Sequence, residues 1–426
     1  MSAILARLPP DAGRLRRSRS GGWCGGGDLG PTGTLRCFAI VATVQDLEQA
    51  DALIARYDEE VRRAVPAGAE IFDAHVHHGR DIDGFASPLD ELLAFLRASG
   101  ASRAFCFCLD EPDRHPAFRA ANDRTLEAAA RSDGVLIPFA RLDLTTEPLE
   151  EATRCLDRGA RGIKLHPRAQ GFLLDDRRLE PIFALAAERR VPILIHGGRG
   201  LPPIADDLLR LVDRHPEAIL IIAHGGIADL AALASRFAQH PGVYFDTSIW
   251  GAVDVLDVYC RVSPGQLLYA SDFPYGRQPQ SLLLDLRIAR LAGYTEDELR
   301  GVLGRNAAHI ADGEAPPPLT PPKRPTRTLA LPIQLARIHT YLTMATPLLW
   351  TRQQDVIGAV GLALNASDER DGYPEACSRI AELLTCARDI WKASGEMVDD
   401  DERLAAGRRA FQLIHLADIE ALTAHA

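Results

Sequence analysis

Hydrophobic positions in this chain follow two rhythms. From residue 70 to about 311, short apolar runs alternate with segments whose apolar residues recur every three or four positions. The runs 70–77, 102–109, 134–142, 160–166, 191–197, 218–225, 242–249 and 266–273 read as strands. Between them PLDELLAFLRAS (88–99), AFRAANDRTLEAAARS (117–132), RRLEPIFALAAERR (177–190) and DLLRLVDRH (207–215) read as helices. Several open with Pro or Asp near the first turn and close before Gly or Pro. Eight strands alternating with helices over this span have the size and rhythm of a closed (β/α)8, or TIM, barrel in the α/β class. An open doubly wound sheet is the competing fold. It usually has fewer strands and often a glycine-rich first turn, and no G-x-G-x-x-G follows the first run here.

The flanks break the rhythm. Residues 1–33 are rich in Gly, Arg, Ser and Pro, lack periodicity and read as a tail that does not fold alone. Residues 34–69 form a lead-in in which QDLEQADALIARYDEEVRRA (45–64) has helical spacing. After the expected barrel, residues 70–313, comes a Pro-rich linker, 314–330, expected to be extended. Residues 331–426 read as about four amphipathic helices, an appended helical domain without a ligand pattern. Its His339, His415 and His425 read as surface or packed side chains. Amphipathic helices appended to a closed barrel need a surface to bury, so this domain is also where self-association into a homo-oligomer is expected.

Composition narrows the function. A net charge of −10 over 426 residues argues against general nucleic-acid binding. No apolar run approaches a membrane span, and the opening MSAILARLPP lacks the apolar core of a secretory signal. The eight cysteines are scattered without C-x-x-C, as expected of reduced thiols in a cytoplasm. Of 48 basic residues only three are lysine, Lys164, Lys323 and Lys392, so arginine is the chain's default cation.

The chemistry gathers at strand ends, where a barrel of this kind carries its reactive groups. Alternation places Asp73, His75 and His77 on one face of the first strand, with His78 on the other. Single groups end later strands: His166 in GIKLHP, His196 in ILIHGG, His224 in IIAHGG and Asp272 in LYASDFP. A lone H-x-H is most often chance or packing; its recurrence with these partners points to a metal. His75, His77, His196 and Asp272 make a zinc-type donor set with a position left for water. The coordinated water is expected as hydroxide near neutral pH, with Asp272 taking its proton and His224 bonding the substrate oxygen. Other divalent metals accept the same ligands. His115, His215 and His240 precede proline and read as exposed turn residues.

Arg80, Arg168, Arg199 and Arg277 gather on the expected upper loops, where guanidinium groups suit an anionic small-molecule substrate. The plain alternative is solvated loop charge. His166 either contacts substrate or shapes the loop before Pro167, and Trp250 and Tyr275 either line a pocket or pack under loops. Lys164 shares parity with His166, and a buried lysine can lose its proton where arginine cannot. It is expected to act at the site, as a neutral amine or as a carbamate holding a second ion.

Taken in order, DAHVHH, GIKLHP, LIHGG, IAHGG, SDFPYG and GRNAAHI make residues 70–311 resemble the amidohydrolase superfamily, and more narrowly the amidohydrolase-related (amidohydrolase 2) family. The resemblance implies a metal-dependent TIM barrel. It assigns His75 and His77 as first-strand ligands, His196 as the fifth-strand ligand, His224 as the sixth-strand histidine and Asp272 as the eighth-strand carboxylate. It implies a fourth-strand lysine carbamate in two-metal members and a single metal in many of this narrower family. The closing motif normally carries arginine where this chain has His309. The family includes C–N and C–O hydrolases and non-oxidative decarboxylases. The leading expectation is therefore hydrolysis of an amide, ester or lactone by a metal-bound hydroxide, with zinc as the metal. Decarboxylation of an unsaturated or aromatic carboxylate is the alternative, and a non-catalytic scaffold the third reading.

Overall fold

The computed structural model describes residues 44–276, 280–316, 318–323, 331–350, 356–369, 372–395 and 397–424. The expected tail 1–33, the first part of the lead-in, Arg277 and His425 lie outside the described residues, as do Pro317 and residues 324–330 of the Pro-rich segment.

Nine strands form one sheet: β1 (Ile71–Arg80), β2 (Ala86–Ser87), β3 (Ala101–Cys108), β4 (Leu136–Arg141), β5 (Gly162–Leu165), β6 (Pro192–His196), β7 (Ile219–Ala223), β8 (Val243–Asp246) and β9 (Leu267–Leu268). β2 is a short antiparallel return on β1. The other eight are parallel, in the order β1-β3-β4-β5-β6-β7-β8-β9. Runs such as ILIIA in β7 are apolar on both faces, as strands covered on both sides must be. The run expected as 266–273 is regular only over β9. Beyond it the backbone leaves strand geometry but still closes the barrel on β1, through Ala74 N to Tyr269 O (2.9 Å), Asp272 N to His75 O (2.9 Å) and His77 N to Phe273 O (2.8 Å).

Between and around the strands run α1 (Val44–Ala64), α2 (Leu89–Ser99), α3 (Arg119–Ala130), α4 (Pro148–Asp157), α5 (Pro167–Gln170), α6 (Leu179–Arg189), α7 (Ala205–Arg214), α8 (Leu230–Arg236), α9 (Ala252–Arg261), α10 (Gln280–Leu291), α11 (Glu296–Arg300) and α12 (Asn306–Asp312). The ends have local causes. Gly100 takes a left-handed conformation after α2 and returns its N–H to Arg97 O, and Thr295 and Glu298 form a capping box at the start of α11. Phe72, Phe105, Phe107, Phe139, Leu194, Ile221 and Tyr244 fill the barrel's interior, and Ala307 and Ile310 of α12 pack against them.

One sequence expectation changes here. β1 pairs Asp73 with Ala104 but Val76 with Cys106, so β1 carries one extra residue, a bulge at Ala74–His75. The bulge inverts the alternation. Phe72 and Ala74 point into the barrel below it, and His75 and His77 do so above it. Asp73 instead faces the layer between strands and helices, where its carboxylate accepts from the N–H groups of Ser271 and His75.

Four further helices follow: α13 (Ile333–Trp350), α14 (Val356–Ser367), α15 (Pro374–Ser394) and α16 (Asp400–Thr423). α15 and α16 pack together and on α1, and α16 also lies on α10. The hydrophobic core runs without a break from barrel residues such as Leu286 through Leu53 of α1 to Leu413 of α16.

Candidate metal centre and its comparison with known proteins

His75 and His77 leave the end of β1 side by side, their ring centroids 5.1 Å apart. His75 is oriented from behind. Its Nδ1 lies 2.8 Å from Asp246 Oδ2, so Nδ1–H donates to the carboxylate and Nε2 is turned forward. That Nε2 stands 3.3 Å from Asp272 Oδ1, and His77 Nε2 stands 3.1 Å from the same oxygen. Tetrahedral bonds of about 2.0–2.1 Å to one ion separate donor atoms by roughly 3.3 Å. Among the described residues, His75, His77 and Asp272 form one group whose donor atoms all lie within 4.8 Å of one another.

His196, the last residue of β6, stands outside that trio and is joined to it through the His224 ring, which lies 5.1 Å from that of His75. The His196 ring stacks on His166 at 4.0 Å and meets His224 edge-on at 4.8 Å. The ring is buried, and among the described residues neither nitrogen makes a well-formed hydrogen bond, although the Arg199 backbone lies close enough to influence it. An orphaned buried imidazole is costly. Gly198 makes room for this crowding, since a Cβ there would lie 2.9 Å from both His196 Cε1 and His224 Cδ2.

Burial is the main influence on His75, His77, His196 and Asp272. It holds His75 and His77 far below the usual histidine range, with the Lys164 charge adding to it, and takes His196 to about 2, helped by His224 and Lys164. Burial also raises Asp272 to about 6. Neutral imidazoles with a carboxylate are the protonation states a divalent ion requires, so these residues fit a zinc-type ion.

His224 and Asp272 share a backbone peculiarity, left-handed φ values of 56° and 57°. Such conformations cost a non-glycine residue of order 1–3 kcal/mol and cluster at functional sites. The backbone N–H of His224 donates to Asp246 Oδ1, and its Nδ1 lies 2.8 Å from Ser248 O. With Nδ1–H given to that carbonyl, Nε2 of the neutral ring is a base, and it donates to an oxygen only when the ring is doubly protonated.

Lys164 is fully buried. Its Nζ lies 3.4 Å from His75 Nε2 and 4.4 Å from the Phe107 ring centre. Burial pulls its ammonium down to about 7, against the raising effect of Asp246 and Asp272. His166 Nδ1 caps the short helix α5 by accepting from Ala169 N–H. Arg199 is exposed, its guanidinium 5.6 Å over the half-buried Trp250. Arg80 is exposed at the far end of β1, and Arg168 lies exposed against Gly200. Tyr275 packs on His77 at 5.3 Å and donates to Asp81 Oδ2 at 2.5 Å.

Three residues at the centre carry no mark in the sequence. Asp246 ends the VYFD strand and holds His75, the His224 backbone and Ser248 at once. Ser248 places its Oγ 2.9 Å from His224 Nδ1. Arg141 ends β4, beside Lys164 in the sheet and 2% exposed. The available signal was position, because each lies at or just past a strand's C-terminal end, as the histidines do.

Comparison with proteins of known structure finds chains similar to this one. An amidohydrolase from Burkholderia multivorans is 18% identical, covers 57% of this chain and 99% of its own, and gives a TM-score of 0.46. A TIM-barrel protein from Bordetella bronchiseptica is 17% identical, with coverages of 57% and 99% and a TM-score of 0.45. 5-Carboxyvanillate decarboxylase from Sphingomonas paucimobilis is 15% identical, with the same coverages and a TM-score of 0.43. No curated protein matches the chain. The amidohydrolase family model matches residues 72–310, more than half the sequence, and the chain belongs to that family.

Proposed function

We propose that the protein is a metal-dependent hydrolase acting on a C–N or C–O bond of a small molecule: an amide, ester or lactone. The observation that carries this reading is the convergence of His75 Nε2, His77 Nε2 and Asp272 Oδ1 with 3.1–3.3 Å spacings, beside the orphaned imidazole of His196. A divalent ion held there supplies an activated water and an electrophilic pull on a carbonyl oxygen. The chain's own groups do the rest. Asp272 accepts a proton at its free carboxylate oxygen. His224, its Nδ1–H fixed on Ser248 O, presents a basic Nε2 that would take up a proton released by the attacking water and return it to the leaving group. Asp246 keeps His75 in the required tautomer. Phe107, packed edge-on to both β1 histidines, and Tyr275 exclude bulk water from the donor set.

A second reading is non-oxidative decarboxylation of an unsaturated or aromatic carboxylate. It is favoured by two inward cations, Lys164 and Arg141, at the floor of the site. One screen separates the readings. Purified protein loaded with zinc is offered amides, esters and lactones alongside aromatic and unsaturated carboxylates, with acid release and carbon dioxide both measured. Hydrolytic turnover, lost in His77→Ala, is expected. Carbon dioxide release without any hydrolysis would reverse the order.

A further inference from the structure

Arg141 is the buried cation that neither the donor set nor the fold accounts for. Its main chain is fixed on both sides: the Asn122 side chain accepts from Arg141 N–H at 2.9 Å and donates to Arg141 O at 3.0 Å. Its side chain shares the inward parity of Phe139, and it is paired in the sheet with Lys164. A guanidinium carries five N–H donors. Among the described residues Arg141 uses one hydrogen bond, Nη1 to Cys108 O at 3.2 Å, while its buried Nε has no partner. Asp110 Oδ1 lies 3.7 Å from Nη2, an ion pair too long for a hydrogen bond, and the Glu111 carboxylate also feels the guanidinium charge without bonding to it. The Phe118 ring covers one face, its centre 4.7 Å from Cζ.

A buried charge with most of its donors unspent is expensive unless a counter-ion completes it. Low exposure does not remove Arg141 from the site, because His75 at 1%, His77 at 5% and Lys164 at 0% are as closed. The guanidinium charge is also felt at His77, His166, Lys164 and Tyr275, so it lies among the groups that surround the centre.

We infer that Arg141 is the specificity-determining residue of this site: its guanidinium fork receives a carboxylate of the substrate, so the enzyme selects small organic acids over their neutral analogues. The inference deepens the proposed function and rests on reading the centre as a small-molecule site. A planar fork matches a carboxylate with two parallel hydrogen bonds, a geometry that lysine cannot supply. Binding there would seat one end of the substrate beside β4 and β5 and leave its reacting carbonyl toward His75, His77 and Asp272.

The test compares benzoate with benzamide by calorimetry on the full-length, zinc-loaded protein, with acetohydroxamic acid, which has no carboxylate, as a probe of the metal. Wild type should prefer benzoate to benzamide. Arg141→Gln should cut that preference at least tenfold while leaving acetohydroxamate within about twofold. Arg141→Lys keeps the charge without the fork and should cut the preference severalfold; it serves as the deciding variant if the glutamine variant does not fold. A preference unchanged in whichever variant folds, or no preference in wild type, overturns the assignment and leaves Arg141 a packing residue. Failure of acetohydroxamate to bind wild type instead defeats the metal reading, while the benzoate-to-benzamide ratio still decides Arg141.

Discussion

Asp246 is the residue on which the centre's geometry turns. Its Oδ2 holds His75 Nδ1, and its Oδ1 accepts from the backbone N–H groups of His224 and Ser248 and from Ser248 Oγ. One carboxylate thus orients a proposed ligand and the left-handed turn that presents His224. Removing such an outer partner typically costs about 10–100-fold in metal affinity. Asp246→Asn should weaken zinc binding in that range, read by competition with a chromophoric chelator, and leave the melting temperature within a few degrees. Undiminished affinity would mean that the Asp246–His75 bond does not set the ligand. The sequence made His75, His77, His196, His224 and Asp272 legible because imidazoles at successive strand ends are rare enough to stand out. Asp246, Ser248 and Arg141 were not legible, because Asp, Ser and Arg are abundant in this chain and mark nothing by type alone. Position and burial distinguish them, and burial is a property of the fold.

The strand and helix pattern was readable at the scale of elements because strands such as β7 are apolar on both faces and helices such as α7 on one. The bulge in β1 was not. Period-two alternation assumes an uninterrupted ladder, and nothing in Phe72-Asp73-Ala74-His75 announces an extra residue. The bulge turns Asp73 away from the centre, and burial raises the Asp73 carboxyl to about 7 despite its two backbone donors. The irregular course after β9 was equally hidden, since the ladder there continues only as scattered bonds to β1. A second element, the widened helical turn Gly301–Arg305 between α11 and α12, fits the barrel's lower edge through a close approach. A Cβ on Gly304 would lie 2.3 Å from Glu70 O, and backbone on backbone cannot yield as a side chain can. Gly304→Ala should therefore destabilise the protein by about 1–3 kcal/mol, the usual cost of overpacking. Thermal melts would show it, and an unchanged melting temperature would mean that this turn is free to move.

At the scale of the whole molecule, the described residues form one compact unit, and the C-terminal helices share a core with the barrel. No described helix is long and apolar enough to cross a membrane. The joint between α16 and the barrel is ionic as well as apolar. Arg287 of α10 bonds Glu60 of α1 and Glu420 of α16, and Arg379 of α15 bonds Glu420 from the other side. Burial pushes the Glu420 carboxyl up, but the two guanidinium groups outweigh it and hold it below the usual range. A carboxylate lowered in the folded state stabilises the fold above its unfolded pKa, about 4.3 for glutamate, and that contribution fades as pH falls through this value toward the folded one. Glu420→Gln should thus cost about 2–3 kcal/mol at pH 7, somewhat less than the ~3–5 kcal/mol of a fully buried broken pair, because Arg287 keeps Glu60. The gap from wild type should close below about pH 4, measured by denaturant titration across pH. A gap independent of pH would assign the loss to packing instead.

The same joint decides what happens when the C-terminal helices are removed. Every proposed metal ligand lies between residues 71 and 312, so a chain ending at Asp312 keeps all of the chemistry on paper. Yet α1 loses α15 and α16, α10 loses α16, and Arg287 loses Glu420 and Thr423. Leu53 and Tyr57 of α1 and Leu286 of α10 belong to the core that α16 completes, so apolar area would be bared beside an under-paired guanidinium. Exposed contiguous apolar surface drives association. The truncated chain should therefore elute as large aggregates, or melt well below the full-length protein, even where zinc is still recovered with its soluble fraction. Size-exclusion chromatography with metal analysis reads both. A monomeric truncated chain that keeps its zinc and the full-length melting temperature would show that the barrel is independent of the helices, leaving their surface on α1 and α10 to a role other than stability.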